Sequence, residues 1–462
     1  MISIVLVVSA AISSAQAAPM GQPAPVAAVG GEHPQAGSSA PVWAGFAGNA
    51  QHTSAAPASP QPLSRVRWHT PVDPAPDLSS GELLIHYGSP MITAANTVLV
   101  PTRVSATAGF QVDAYAGATG ARRWSVPTDY RAPASSDDGQ TWTPPLPATL
   151  ATGNRLAVAG GGGTVLMRAN ADDPTSTLRR RAFYGLADWQ AHRAQYNDAV
   201  QISTPLTAGP DGSVYFGFGV SGPTPANLSS GIARIDAAGH ASWTSASTAA
   251  GDPAVTDVAL NAAPALSPDG TTVYTTVIGP SASFLVGMDA ATLAPRYHAA
   301  LTDPVSGQPA FVSTSTSATP TIGPDGDVYY GVLENPFPNH NERGWLLHFD
   351  ATLTHVQIPG SFGWDNTVSI LPAGALPAYR GRSPYLVVSK YNNYLGLGPS
   401  GDGHNKIAVL DPRASAADPY ASVQVMKPVQ TILSPVHFPG APPGHATSGA
   451  STPPSWIPPP GQ

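Results

Sequence analysis

The sequence predicts an all-β fold, a β-propeller of four-stranded blades with six blades recognisable. Three observations carry this. Five prolines, Pro90, Pro147, Pro205, Pro264 and Pro320, recur at gaps of 57, 58, 59 and 56 residues. Around each lie two short apolar or β-branched runs separated by a turn signal. In most copies a third run follows, ending in Asp. One such sheet cannot bury both its faces, so copies at constant spacing must stack around an axis.

The clearest copy is Ser203-Thr-Pro-Leu-Thr-Ala-Gly-Pro-Asp-Gly-Ser-Val-Tyr-Phe216. Its first run is a strand. Pro-Asp-Gly is the turn, with Asp bonding nearby backbone and Gly supplying a positive φ. Val-Tyr-Phe is the next strand. Copies at Ala263–Tyr274 and Thr319–Tyr329 keep the turn, while those at Ser89–Val100 and Leu146–Val158 are weaker. A sixth, degenerate copy starts near Val368 and runs through Tyr385-Leu-Val-Val388. Third strands end at Asp236, Asp289, Asp350 and Asp411.

The flanks differ in kind. Ile2 to Ile12 is mostly apolar and is followed by Ala15-Gln16-Ala17, so residues 1–17 read as a signal peptide, although no basic residue precedes the run. The expected location is therefore secreted or periplasmic. No later stretch reaches about 18 apolar residues, so no transmembrane segment is expected in the mature chain. Residues 18–60 read as an Ala/Pro/Gly-rich linker that wraps loosely or stays disordered, and 61–433 as the propeller. Arg65-Val-Arg-Trp-His-Thr-Pro-Val72 looks like an N-terminal strand that closes the ring against the final blade. Residues 434–462 form a Pro-rich, disordered tail: they hold nine Pro and no Asp, Glu, Lys or Arg, and cannot supply a central strand. Two alternatives stand. Either a seventh or eighth blade is lost after Leu433, or six blades form a natural ring with a disordered tail.

Composition narrows the function. Pro (51) and Gly (46) are abundant, and charged residues are only 11 % of the 462. The formal net charge of -7 argues against a nucleic-acid partner, which needs a basic surface. Low Glu and Lys argue against a coiled coil. With 42 % hydrophobic residues the chain can build a large core. No cysteine is present, which excludes disulfides, thiolate metal sites and cysteine nucleophiles.

Ala114-Tyr-Ala-Gly-Ala-Thr119-Gly120-Ala-Arg-Arg-Trp124 resembles the tryptophan-docking repeat of quinoprotein-like (PQQ-type) propellers, with Ala116 at the Asp position. Asp236, Gly239 and Trp243 match with one residue deleted, and Asp289 and Thr292 match in part. Trp43-Ala-Gly-Phe-Ala-Gly-Asn49 and Val66-Arg-Trp68 are similar to the opening segment of such chains. The resemblance spans roughly residues 41 to 433. It implies a propeller, and in the quinone-dependent members a vicinal cysteine pair and a calcium ion held by Glu and Asn. The cysteines are missing and no segment carries those ligands over, so no cofactor is assigned. The resemblance is nearer to the non-enzymatic, secreted branch.

Polar residues gather in the loops of copies five and six. They are Asn339, His340, Glu342 and Arg343; Trp364, Asp365 and Asn366; and Lys390, Tyr391, Asn392, Asn393 and Tyr394. Propeller loops at one end of the axis form the usual ligand site, and this mix of stacking faces and directional donors suits a protein or carbohydrate ligand. The competing reading is turn chemistry and blade capping. His340 and Glu342, with His348, could chelate a cation, as could Asp402 to Asn405. Neither cluster has a recognised ligand spacing, so no metal is expected. Gly160–Gly163 lacks the Lys-Ser/Thr of a phosphate loop and reads as a flexible hairpin tip. Arg179-Arg-Arg181 reads as a solvated loop. The favoured function is a non-catalytic binding or scaffold module. The alternative is a quinone- or metal-dependent oxidoreductase, or another propeller enzyme, using the loops of blades five and six.

Overall fold

The computed structural model describes residues 43–56, 65–72, 88–104, 109–131, 146–312, 318–364, 366–393 and 406–433. The expected signal peptide, most of the linker and the Pro-rich tail lie outside the described residues. Six antiparallel sheets form, one for each copy of the repeat, with strands in chain order. Blade one is Met91–Ile92, Thr97–Arg103, Phe110–Ala116 and Arg122–Thr128. Blade two is Ala148–Ala151, Arg155–Ala159, Thr164–Arg168 and Leu178–Ala182. Blade three is Thr207–Ala208, Val214–Val220, Gly231–Ile235 and Ala241–Ser245, with Val200–Ile202 also paired to its second strand. Blade four is Ala265–Leu266, Thr272–Ile278, Ser283–Asp289 and Pro295–Ala300, with Asp257–Val258 added. Blade six is Ser369–Pro372, Tyr385–Lys390, Lys406–Ala417 and Gln424–Leu433.

Blade five departs from the expected four strands. It has Thr321–Ile322, Val328–Val332 and Trp345–Phe349. On the outer side only single bridges form, from Leu346 to Gly360 and from Phe349 to Val356.

The turn chemistry is as the residues dictate. Gly212, Gly270 and Gly326 of the three Pro-Asp-Gly turns have φ of 81°, 71° and 93°. Asn96 takes the same place in blade one, at φ 59°. Asp211 Oδ1 accepts the Ser213 N–H at 2.9 Å, and Asp269 Oδ1 that of Thr271 at 3.0 Å. Second strands are buried along their whole length in blades four and five, because a neighbouring blade covers each face. That is why they read as continuous apolar runs rather than alternating ones.

Apolar clusters join blade to blade. One spans blades one to three, another blades three and four, another four and five, and another five and six. Each fully buried Leu, Val, Ile or Phe in them contributes roughly 1.5–3 kcal/mol. Side chains also reach across to a carbonyl in the next blade. Trp124 Nε1 donates to Ala171 O at 3.0 Å, Tyr215 Oη to Ala290 O at 2.8 Å and Tyr274 Oη to Ala351 O at 2.6 Å. From blade five to blade six, Tyr329 and Tyr385 share a hydroxyl hydrogen bond of 2.7 Å.

The innermost strands surround a piece of the chain that the sequence placed in the linker. Trp43 exchanges backbone hydrogen bonds with Ile92 of blade one, and the Leu150 N–H of blade two donates to Ala44 O at 2.7 Å. Leu266 of blade four donates to Ala50 O, Ile322 of blade five to Gln51 O and Ile370 of blade six to Thr53 O, at 2.8, 2.9 and 2.8 Å. The His52 ring lies between blades five and three, with Nδ1 2.9 Å from Pro320 O and Nε2 3.3 Å from Thr207 Oγ1. A segment that touches the first strand of all six blades occupies the axis. The linker boundary at residue 60 is therefore too late, since residues 43–54 belong to the propeller.

Three further expectations are corrected. Residues 65–72 lie on blade one and form no strand pair with blade six, which supplies its own outer strand. Gly160–Gly163 is no flexible tip: all four glycines are buried under a helical insertion, Leu186–Ala191 and Arg193–Ala199, and Gly161 N–H donates to Asp129 Oδ1 at 3.0 Å. Arg179–Arg181 lies in the outer strand of blade two rather than in a loop, and Arg180 grips Asp129 at 2.8 and 2.9 Å.

Candidate functional site

The polar loops of blades five and six do converge. Four pieces of chain meet: 334–344, which follows the second strand of blade five; 361–364 with Asn366, which lead into blade six; 391–393, after the second strand of blade six; and 418–421. The last is the tip of a hairpin. Beyond Asp411 the two outer strands of blade six slip register and extend as 415–417 paired with 424–426. This extension leans back on blade five. Met426 N–H donates to Pro359 O at 2.7 Å, and Val425 shares a core cluster with Trp345 and Leu347. It covers the face that the irregular edge of blade five leaves open.

Arg343 is the centre, 1 % exposed. Its Nε donates to Ser361 O at 2.8 Å and its Nη2 to Ser361 Oγ at 3.3 Å. Nη1 donates to the carbonyls of Asn392 and Tyr391. The guanidinium lies over the rings of Tyr391 and Tyr420, at 4.5 and 5.0 Å. It thus ties three loops together through carbonyl oxygens, a use for which its fork of donors is suited.

His340 is buried flat on Trp345, with ring centres 3.6 Å apart. Its Nδ1 contacts Gly344 O at 2.9 Å and its Nε2 contacts Asp418 Oδ1 at 3.2 Å. Burial alone would raise Asp418, but hydrogen bonds from His340 and Ser361 outweigh it and hold the carboxyl below its usual range. Trp345 Nε1 donates to Asp303 Oδ2 at 2.9 Å. Glu334 is wholly buried; Oε2 accepts the Gly344 N–H at 2.6 Å while Oε1 has no hydrogen-bond partner among the described residues. Burial raises its pKa, and raises that of half-buried Glu342 with help from the Glu334 charge. Gly344 is required here: its φ is +60°, and a Cβ would stand 2.0 Å from Val332 O.

The remaining candidates sit nearby. Asn366 Nδ2 donates to Ser389 Oγ at 2.8 Å, and Asn393 Nδ2 to Tyr420 Oη at 3.3 Å. Asn392 Oδ1 accepts the Lys406 N–H at 2.7 Å. Lys390 Nζ stands 5.7 Å from the Phe362 ring. Trp364 N–H donates to Arg343 O at 3.1 Å. Asn339 is exposed at the rim. Asp365, Tyr394 and Asp402–Asn405 lie outside the described residues. Asp418 and Tyr420 were missed in the sequence, because Asp-Pro-Tyr reads as an ordinary turn and only the register slip brings it to blade five.

His348 does not join this cluster. It lies at the other end of its strand, stacked on Tyr329 at 4.4 Å and 3.0 Å from Asp327 Oδ2. Among the described residues no group of three or more His, Asp or Glu is placed to hold a metal ion. The cluster as a whole is an intramolecular network: most of its polar atoms bind loops of the same chain to one another.

Sheets and axis together define an all-β propeller. No family model and no curated protein matches the chain. Among solved structures it is similar to the Dos1 propeller, at 14 % identity and a TM-score of 0.38 over 70 % of this chain and 66 % of that one. It is also similar to a putative 6-phosphogluconolactonase from Bacteroides uniformis, at 14 % identity and a TM-score of 0.35 over 73 % and 85 %. A quinohemoprotein alcohol dehydrogenase from Pseudomonas putida HK5 is matched at 14 % identity and a TM-score of 0.32 over 60 % and 41 %. The propeller assignment rests on the six sheets themselves. No helix among the described residues is long and apolar enough to cross a membrane.

Proposed function

We infer that this chain is an exported propeller of the quinoprotein-like type that serves as a non-catalytic binding or scaffold module. One observation carries this. The axis, where a propeller ordinarily receives a small ligand, is filled at the level of the inner strands by residues 43–54 of the same chain. The side chains nearest to a site in the sequence, Arg343 and His340, are engaged with carbonyls and with Asp418 rather than turned to solvent. What remains for a partner is the outer surface. The test is calorimetric titration of the purified chain with pyrroloquinoline quinone and calcium. No binding is expected. Micromolar binding, accompanied by dye-linked oxidation of an alcohol, would overturn the inference in favour of a quinone-dependent enzyme.

A further inference from the structure

Three histidines are buried among the described residues, and two of them, His340 and His348, lie at the two ends of the third strand of blade five, Trp345–Phe349. His52 is the ordinary case. One nitrogen faces the Pro320 carbonyl and the other the Thr207 hydroxyl, which can donate as well as accept, so a neutral ring satisfies both. His340 has no such choice. Nδ1 faces Gly344 O at 2.9 Å and Nε2 faces Asp418 Oδ1 at 3.2 Å. A carbonyl only accepts. Asp418 Oδ1 already accepts the Tyr420 and Ala421 N–H groups at 2.8 and 2.9 Å, so it is held as a carboxylate and also only accepts. A neutral ring carries one N–H and would turn a lone pair on one of these oxygens inside a buried site. Both contacts are made only when the ring and the carboxyl together hold one further proton.

His348 repeats the arrangement at the other end of the strand. Nε2 lies 3.0 Å from Asp327 Oδ2 and Nδ1 lies 3.3 Å from Ile358 O. The two rings thereby fasten the two pieces that complete blade five in place of a regular outer strand. His348 holds the segment that carries the bridges at Val356 and Gly360. His340 holds the tip of the blade-six hairpin, whose Met426 N–H donates to Pro359 O of that same segment at 2.7 Å.

The charges around both rings favour the proton. Facing His340 are Asp418 from the hairpin and, from its own loop, Glu334, on which a charge at His340 acts; Glu342 and Glu334 act on each other. The Trp345 indole under the ring donates to Asp303, and Tyr420 meets the ring edge-on at 6.3 Å. The opposing charge is that of Arg343, whose donors are engaged with the carbonyls of Ser361, Tyr391 and Asn392. His348 faces Asp327 and lies on Tyr329, beyond which Tyr385, Asp325 and Arg413 are joined to one another. We propose that His340 and His348 form an acid-closed clasp: protonated, they fasten the outer edge of blade five, and as pH rises and their charge is lost the hairpin tip lifts away. Val425 of the hairpin shares a core cluster with Trp345 and Leu347, so opening bares the apolar face of blade five. The pH of the medium thus sets whether that face is presented, a control that the binding role inferred above does not require.

Once a free histidine is neutral, above about pH 6.5, the closed clasp binds more protons than the open one, so the closed-to-open ratio falls by up to about tenfold for each further pH unit and each linked proton. Hydrogen exchange of the full chain, corrected for intrinsic rates at each pH, reads this ratio at the amides of Met426, Gln357 and Gly360, which donate to Pro359, His348 and Leu346. Protection there is expected to fall about tenfold or more between about pH 6.5 and about pH 8.5. The second strand of blade four, Thr272–Ile278, should keep its protection. His340→Gln keeps a donor toward Asp418 but does not titrate, and should remove the fall at Met426. Asp418→Asn keeps the shape and loses the charge, and should move that fall about one pH unit lower. A smaller fall in the parent chain, an equal fall in Thr272–Ile278, or an undiminished fall in His340→Gln overturns the proposal.

Discussion

His52 shows what a single residue does in this fold. Its ring bridges blades three and five from the axis and is buried. Burial pushes its pKa down to about 4, although the Pro320 carbonyl pulls the other way. In the unfolded chain it titrates near its ordinary 6.5. Between these values the unfolded state binds more protons, so stability falls as pH drops through the window. The loss reaches on the order of 3 kcal/mol below about pH 4. Asp350 acts in a lower window. Burial would raise it, but bonds from His355 and Thr354 hold it at about 2, so its contribution fades as pH falls from 3.8 toward 2. Melting temperature measured from about pH 7 to about pH 4 should decline, and His52→Gln should flatten that slope while lowering the plateau. An unchanged slope would mean that His52 is not the titrating group. Nothing in Gln51-His52-Thr53 announces this role, because it depends on contacts with Thr207 and Pro320, distant in sequence.

At the scale of elements, the repeat was legible because its turns and strands obey local chemistry. Gly at positive φ, Asp bonding the turn backbone and a β-branched run after it are all short-range requirements. The docking role of the tyrosine in Val-Tyr was not legible, since the carbonyl it meets belongs to the next copy. Tyr274→Phe removes only the hydroxyl that donates to Ala351 O. It should cost about 1 kcal/mol, or up to about 3 if that carbonyl is left dry. Urea unfolding measures it, and a change below about 0.3 kcal/mol would show that the bond contributes nothing net. Blade five and the hairpin of blade six show the opposite case. The Lys406–Ala417 strand runs past Asp411 because blade five lacks a regular outer strand and leaves apolar surface to be covered. A local pattern cannot report a need that arises in another blade.

For the whole molecule, the axial segment is the element common to all six blades. Removing residues 43–54 should cost more than its few hydrogen bonds, because five blades lose a backbone acceptor, blade three loses its contact with His52 and the axis opens to water. A chain without it is expected to lose its single cooperative melting transition. A synthetic peptide covering residues 41–56, added in trans, should restore part of the lost melting temperature in proportion to its concentration. Cooperative melting at the parental temperature without the segment would contradict its role as a hub.

The sequence by itself determined the all-β class, the period of the blades, the turn positions and the strands on either side of each turn. Each depends on residues within about ten positions of one another and on burial that every copy needs in the same way. Only the tertiary structure decided what fills the axis, which side chains the polar loops consume and where residues 65–72 lie. The Ala- and Gly-rich residues 43–54 look like linker because they carry few large apolar groups, yet small residues are what a crowded axis admits. Arg343 and His340 look like ligand residues because their types are those of binding sites. Whether such a side chain meets a ligand or the chain's own carbonyls is set by loops that converge only when the ring has formed.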